Sequence, residues 1–176
     1  MLNDLNEIKA KIIDFLDDSS SVIIFGIGND IRGDDGLGPY IINQLTDLKE
    51  LYWADSKDDE DTLGNIHLIN GGSAPENFTG LIKRIDPSHI IIIDATLMNR
   101  ESGKIEIINK ENIKDISIST HSMSISFIVK YLELENDFEI IFIGIQPELM
   151  DLSFDLSETI KKSSDDLVGI FKELFF

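Results

Sequence analysis

Two apolar rhythms alternate along the chain. Leu5, Ile8, Ile12, Phe15 and Leu16 recur at helical spacing until Asp17-Asp18-Ser19-Ser20 ends the pattern, which predicts an amphipathic helix ahead of a sheet. Val22-Ile23-Ile24-Phe25 is a continuous apolar run stopping at Gly26, the signature of a strand buried on both faces. Tyr40, Ile41, Ile42 and Leu45 predict a helix begun near Pro39, and Leu51-Tyr52-Trp53 reads as a short strand. Ile66 to Ile69 predicts the next strand, Pro75 to Ile85 a helix, and His89 to Ile93 a buried strand ending at Asp94. Lys104 to Ile108 alternates polar and apolar, as a half-exposed edge strand does. Thr120 and Ser122 bracket the start of a helix running through Ile128, Val129 and Leu132; Ile140 to Ile143 is another buried strand, closing at Gly144. Leu156 to Phe171 predicts a final amphipathic helix.

Strands alternating with helices predict an α/β fold: one three-layer domain, with a mostly parallel twisted sheet flanked by helices on both faces. The organisation expected is an N-terminal helical extension over residues 1–20 and a single α/β domain over 21–176. In such sheets, binding sites gather beyond the carboxyl ends of the strands. Four segments end there in polar or glycine-rich loops: Gly26 to Pro39, Asn70 to Asn77, Asp94 to Thr96, and Gly144 to Glu148. A fifth, Ser119-Thr120-His121-Ser122, lies at a predicted helix start.

Composition narrows the chemistry. The 176 residues carry 33 acidic and 15 basic side chains, a net charge of −18, which disfavours nucleic acid and anionic membrane surfaces as partners. The segment Asp55 to Asp61 reads as a solvated acidic loop. With no cysteine, thiolate metal sites, iron–sulfur clusters and Cys nucleophiles are excluded, and a reducing compartment is compatible. No apolar run approaches the roughly 20 residues that span a bilayer, and residues 1–18 lack the basic-then-apolar order of a secretion signal, so the expected location is cytoplasmic.

The first loop, Gly26 to Pro39, is not a dinucleotide fingerprint, because Ile31 stands where GxGxxG needs its third glycine. No GK[ST] follows, and Asp34 and Asp35 would repel phosphates. Taken singly, Asp35 reads as a helix cap, Asp94 as a turn residue and His121 as a capping or partly buried histidine. Together they supply two carboxylates and one imidazole from three loops, a donor set suited to a divalent ion such as Ni²⁺ or Zn²⁺ with open positions. Their separations, 59 and 27 residues, leave it to the fold to unite them. His67 and His89 sit within or beside apolar strands and read as structural.

At these residues the chain resembles the hydrogenase maturation endopeptidases, which trim a C-terminal extension from the [NiFe]-hydrogenase large-subunit precursor after nickel insertion. The matching pieces are GIGNDIRGDDGLGP at 26–39, INGGSAPENF at 69–78, IIIDAT at 91–96, STHSMS at 119–124 and FIGIQPE at 142–148. The GGSAPEN and GIQPE segments look most like the branch serving formate-hydrogenlyase-type and other energy-converting hydrogenases. The resemblance implies that Asp35, Asp94 and His121 contact Ni²⁺ carried by the precursor rather than held permanently, so that the metal gates processing. It departs from the family pattern in the helix over the first 20 residues and in the acidic 55–61 insertion.

Two mechanisms stay open: nickel polarising the scissile carbonyl or activating water, or Asp35 or Asp94 acting as general base on water. Neither a pair of DTG or DSG loops, nor HExxH, nor GxSxG is present. Gly71-Gly72-Ser73 is a candidate substrate-binding turn, its backbone N–H groups offered near the cut, though a plain tight turn is the simpler reading. The alternative to a peptidase is a non-catalytic nickel-binding or chaperone-like module using the same three residues; a more distant one is a small α/β hydrolase.

Overall fold

A computed structural model describes residues 2–53, 65–115, 125–134 and 137–176. In chain order the elements are α1 (Leu2–Phe15), β1 (Val22–Ile27), α2 (Leu37–Trp53), β2 (Ile66–Gly72), α3 (Thr79–Ile85), β3 (His89–Ala95), β4 (Ile105–Asn109), α4 (Ile125–Glu133), β5 (Glu139–Ile145) and α5 (Glu158–Phe175). Short 3-10 turns cover Gly33–Gly36, Pro75–Phe78 and Lys110–Asp115. The five strands form one sheet in the order β2-β1-β3-β5-β4. All neighbours are parallel except β4, which runs antiparallel to β5 at the edge. The nine residues between Ala95 and Ile105 explain that exception: a parallel crossover needs a dozen or more.

Side chains alternate across a strand, and here that period of two sorts the isoleucine-rich strands into two apolar layers. Val22, Ile24, Ile91, Ile93, Ile141 and Ile143 pack with Ile8 and Ile12 of α1, Ile41 and Leu45 of α2, and Leu167 and Phe171 of α5. Ile23, Phe25, Ile90, Ile92, Ile140 and Phe142 pack with Ile82 of α3 and with Ile128, Val129 and Leu132 of α4. The result is the three-layer α/β domain the pattern predicts, with β1, β3 and β5 covered on both faces.

Two predicted boundaries are corrected. Leu51-Tyr52-Trp53 is not a strand but the last turn of α2, because the helical rhythm set by Ile41, Ile42 and Leu45 carries through it. That helix starts at Leu37 rather than Pro39, directly after the 3-10 turn formed by Gly33-Asp34-Asp35-Gly36. The acidic loop Asp55 to Asp61 and the Ser119 to Ser122 segment lie outside the described residues, as does the predicted helix start at Thr120.

Candidate active site at the switch point of the sheet

β1 has β2 on one side and β3 on the other, while α2 and α3 lie on opposite faces. The chain therefore departs in opposite directions from the carboxyl ends of β1 and β3, which opens a crevice between their loops. Glycines let the backbones close around it. A Cβ on Gly26 would lie 2.4 Å from the Gly38 carbonyl oxygen, and one on Gly38 would lie 2.1 Å from that of Ile27, so the start of α2 rests directly on β1. The loops after β1 and β2 are tied by the Gly28 N–H donating to the Gly72 carbonyl at 3.0 Å. The Asn29 N–H donates to the Asp35 carbonyl at 3.1 Å.

The twin aspartates of this first loop divide their work. Asp34 is fully buried, and its carboxylate accepts from the Glu148 N–H (2.9 Å), the Leu149 N–H (2.7 Å), the Ser157 N–H (2.7 Å) and the Ser157 hydroxyl (3.1 Å). It is the peg that fastens the segment after β5 and the start of α5 to the first loop. Asp35 is also buried, and it sits in the same 3-10 turn immediately before α2, beside the positive end of that helix's dipole. The turn packs against β3.

β3 carries Asp94, buried at 1 % exposure and paired in register with Gly144 of β5. Counting by twos from Ile90 and Ile92, its side chain leaves the strand on the face covered by α3 and α4. Beyond it the chain is held by Gln146, whose Oε1 accepts from the Met98 N–H (2.7 Å) and the Arg100 N–H (3.3 Å). The Gln146 N–H donates to the Lys104 carbonyl, and the Thr96 N–H to that of Ile145. Gly71 is buried, and Ser73 is exposed on the turn after β2. The Gly72 N–H is engaged by the Asn70 side chain at 3.1 Å, an Asx turn that closes this loop on itself.

Asp35 and Asp94 are thus brought to adjacent elements at one crevice, while His121 lies outside the described residues. Among the described residues no group of three His, Cys, Asp or Glu side chains is gathered that would hold a metal ion. His89 stands at the opposite edge of the sheet: its Nε2 lies 3.3 Å from an Asp18 carboxylate oxygen, its Nδ1 2.9 Å from the Ser88 hydroxyl, and its ring edge-on to Phe15. His67 is half-buried within β2. Sequence reasoning missed the roles of Asp34 and Gln146. It also missed Glu76 of the Pro75–Phe78 turn, whose Oε2 is buried without a hydrogen-bond partner. No spacing rule separates Asp34 from Asp35, since the groups that Asp34 binds come more than a hundred residues later.

The sequence model of the HycI family, described as hydrogenase maturation protease, matches residues 47–173, well over half of the chain. The chain belongs to this family. An inferred hydrogenase maturation protease of Methanocaldococcus jannaschii is 39% identical over 166 residues, covering 94% of this chain and 95% of that protein. The hydrogenase 3 maturation protease of Escherichia coli K12 is 31% identical over 140 residues, covering 79% and 81%. The crystal structure of a [NiFe] hydrogenase maturation protease, HycI from Thermococcus kodakarensis KOD1, superposes with a TM-score of 0.78 at 26% identity, covering 94% of this chain and 98% of that one. In this HycI-family chain both carboxylates are buried, Asp35 in the turn before α2 and Asp94 near the end of β3. Among the described residues no helix is long and apolar enough to cross a membrane.

Proposed function

We propose that this chain is an endopeptidase that removes the C-terminal extension of a [NiFe]-hydrogenase large-subunit precursor after nickel insertion, in the cytoplasm. The observation that carries this reading is the burial of Asp35 and Asp94 on neighbouring elements at the switch point of the sheet. His121 precedes α4 by only a few residues, and α4 covers the face on which Asp94 emerges. In this reading nickel arrives as part of the substrate, bound by the precursor's own thiolates. Asp35, Asp94 and His121 then offer it two oxygens and one nitrogen, an O/O/N half-site from a chain that has no thiolate of its own. Precursor lacking the metal loses this anchor and docks unproductively.

For the bond cleavage itself, an aspartic-type course fits the carboxylates: one of Asp35 and Asp94 takes the proton of an attacking water while the other holds the substrate in register. The Gly71-Gly72-Ser73 turn borders the crevice, and its contribution to substrate binding rests on Gly71 and Ser73, since the Gly72 N–H is engaged by Asn70.

The test is C-terminal trimming of purified precursor, followed by its mobility shift, with and without nickel. The expected result is trimming of the nickel-loaded form only, and its loss in Asp35→Asn, Asp94→Asn and His121→Ala proteins that keep wild-type circular dichroism. Full activity in all three variants would rule out the site. Equal trimming of both precursor forms would remove the nickel gate. Tight binding of an otherwise processable precursor without trimming would favour a chaperone-like module.

A further inference from the structure

The turn that follows β2 is held more firmly than a plain connection requires. Pro75, buried at its first position, fixes the entry. The Glu76 carbonyl accepts from both the Thr79 N–H and, at 2.9 Å, the Thr79 hydroxyl. The Asn77 N–H donates to the Ala74 carbonyl at 3.1 Å, and Phe78 sets the turn against the sheet, edge-on to Phe25 with ring centroids 6.2 Å apart. With its backbone pinned in this way, Glu76 has one side-chain oxygen, Oε2, that is buried and makes no hydrogen bond among the described residues.

Taking a carboxylate oxygen out of water without a partner is costly, so a fold that keeps one on a rigid turn points to a group that arrives from outside. Glu76 is half-buried, so its carboxylate stands at an opening rather than sealed in the core. The position of the turn says where that group belongs. Phe25, and Phe78 packed against it, lie in the apolar layer between the sheet and the helices α3 and α4. Phe25 is in register with Ile92 of β3, and Asp94 follows Ile92 on the same face, about 7 Å nearer the carboxyl edge. The Glu76 turn thus shares a face and an end of the sheet with Asp94. Only β1 separates their strands, a span of about 10 Å, which an extended peptide covers in about three residues.

Resting on the reading of this chain as a processing endopeptidase, we propose that Glu76 is a substrate-binding residue, its Oε2 accepting a hydrogen bond from an N–H group of the precursor. A carboxylate oxygen can only accept, so the substrate supplies the donor, either a main-chain amide or a side-chain cation. The contact holds the precursor on the β2 side of Asp94.

The experiment compares wild-type protein with Glu76→Met, an apolar chain of similar length, and Glu76→Gln, which keeps an acceptor oxygen without the charge. Thermal melting reports stability, precursor trimming gives KM, and surface plasmon resonance gives Kd for the precursor. For Glu76→Met the expected melting temperature is at or above that of wild type, because an unpartnered buried oxygen is removed. KM and Kd are expected to rise about tenfold or more in the same variant, a pairing that a merely structural carboxylate would not produce. Glu76→Gln separates the two donors: a Kd within about threefold of wild type marks a main-chain amide, and a loss as large as in Glu76→Met marks a cation. Unchanged KM and Kd in Glu76→Met, beside a wild type that trims, would overturn the Glu76 contact and leave the endopeptidase reading intact. A wild type that binds precursor without trimming it, with binding weakened in Glu76→Met, would overturn the endopeptidase reading and uphold the contact.

Discussion

Replacing Asp34 by Asn tests the division of labour within the GDDG turn. The substitution keeps size and shape but leaves one acceptor oxygen where the carboxylate has two. The better amide orientation puts that oxygen where Oδ2 sits, toward the N–H groups of Glu148 and Leu149 and the Ser157 hydroxyl. The NH₂ group then faces the Ser157 N–H, which had donated to Oδ1 at 2.7 Å. One charge-assisted hydrogen bond is lost, about 1.5–3 kcal/mol, and two donors are left opposed, about 1 kcal/mol more. The expected destabilisation is about 3 kcal/mol, which for a chain of this size lowers Tm by roughly 6–12 °C. Asp34→Ala removes every acceptor and costs about 5 kcal/mol, the upper range for a single substitution. Urea unfolding followed by circular dichroism measures both. Amide hydrogen exchange provides the local readout, with protection falling first at Glu148, Leu149 and Ser157. Stability within about 0.5 kcal/mol of wild type for both variants would refute the assignment of Asp34 as a structural peg.

Three further outcomes follow from the same geometry. Gly38→Ala drives a Cβ to 2.1 Å from the Ile27 carbonyl oxygen, so α2 must lift from β1; the variant is expected to lose at least about 3 kcal/mol in urea unfolding and to lose trimming with it. His89→Ala removes a buried ring at the far edge of the sheet, so thermal melting should show a loss of about 2 kcal/mol while kcat/KM for trimming stays within twofold. Burial, aided by its hydrogen bond to Asp165 at 2.7 Å, raises the Tyr40 hydroxyl to a pKa of about 12, so its stabilisation is complete below the ordinary tyrosine value near 10 and fades as pH climbs toward 12. Ultraviolet titration should show a tyrosine step about two units late, and Tyr40→Phe should abolish that step.

Legibility followed the range of the interaction concerned. The strands through Val22, Ile90 and Ile140 were visible because burial on both faces demands unbroken apolar runs, and the edge strand β4 because half-burial demands alternation. Leu51-Tyr52-Trp53 misled because three apolar residues fit either rhythm, and only the continuing α2 hydrogen bonds decide between them. Asp94 could be singled out because a carboxylate directly after four isoleucines is costly to bury without a task. Asp34 could not be told from Asp35, because its partners at Glu148, Leu149 and Ser157 are distant in sequence and adjacent only in space.

By itself, then, the sequence determined the layers of the fold, the loops at the carboxyl edge of the sheet and the acids to watch there, since all of these follow from local periodicity and the chemistry of single side chains. Tertiary structure alone decided that Asp34 is the peg that fastens the segment after β5. It also decided that the loop after β1 meets the segment after β5 in a bridge between Arg32 and Ser153. Both outcomes depend on strand order, which brings the loop after β1 against the segment after β5. That order is set by how the layers pack, a property of the whole chain that no short stretch of residues encodes.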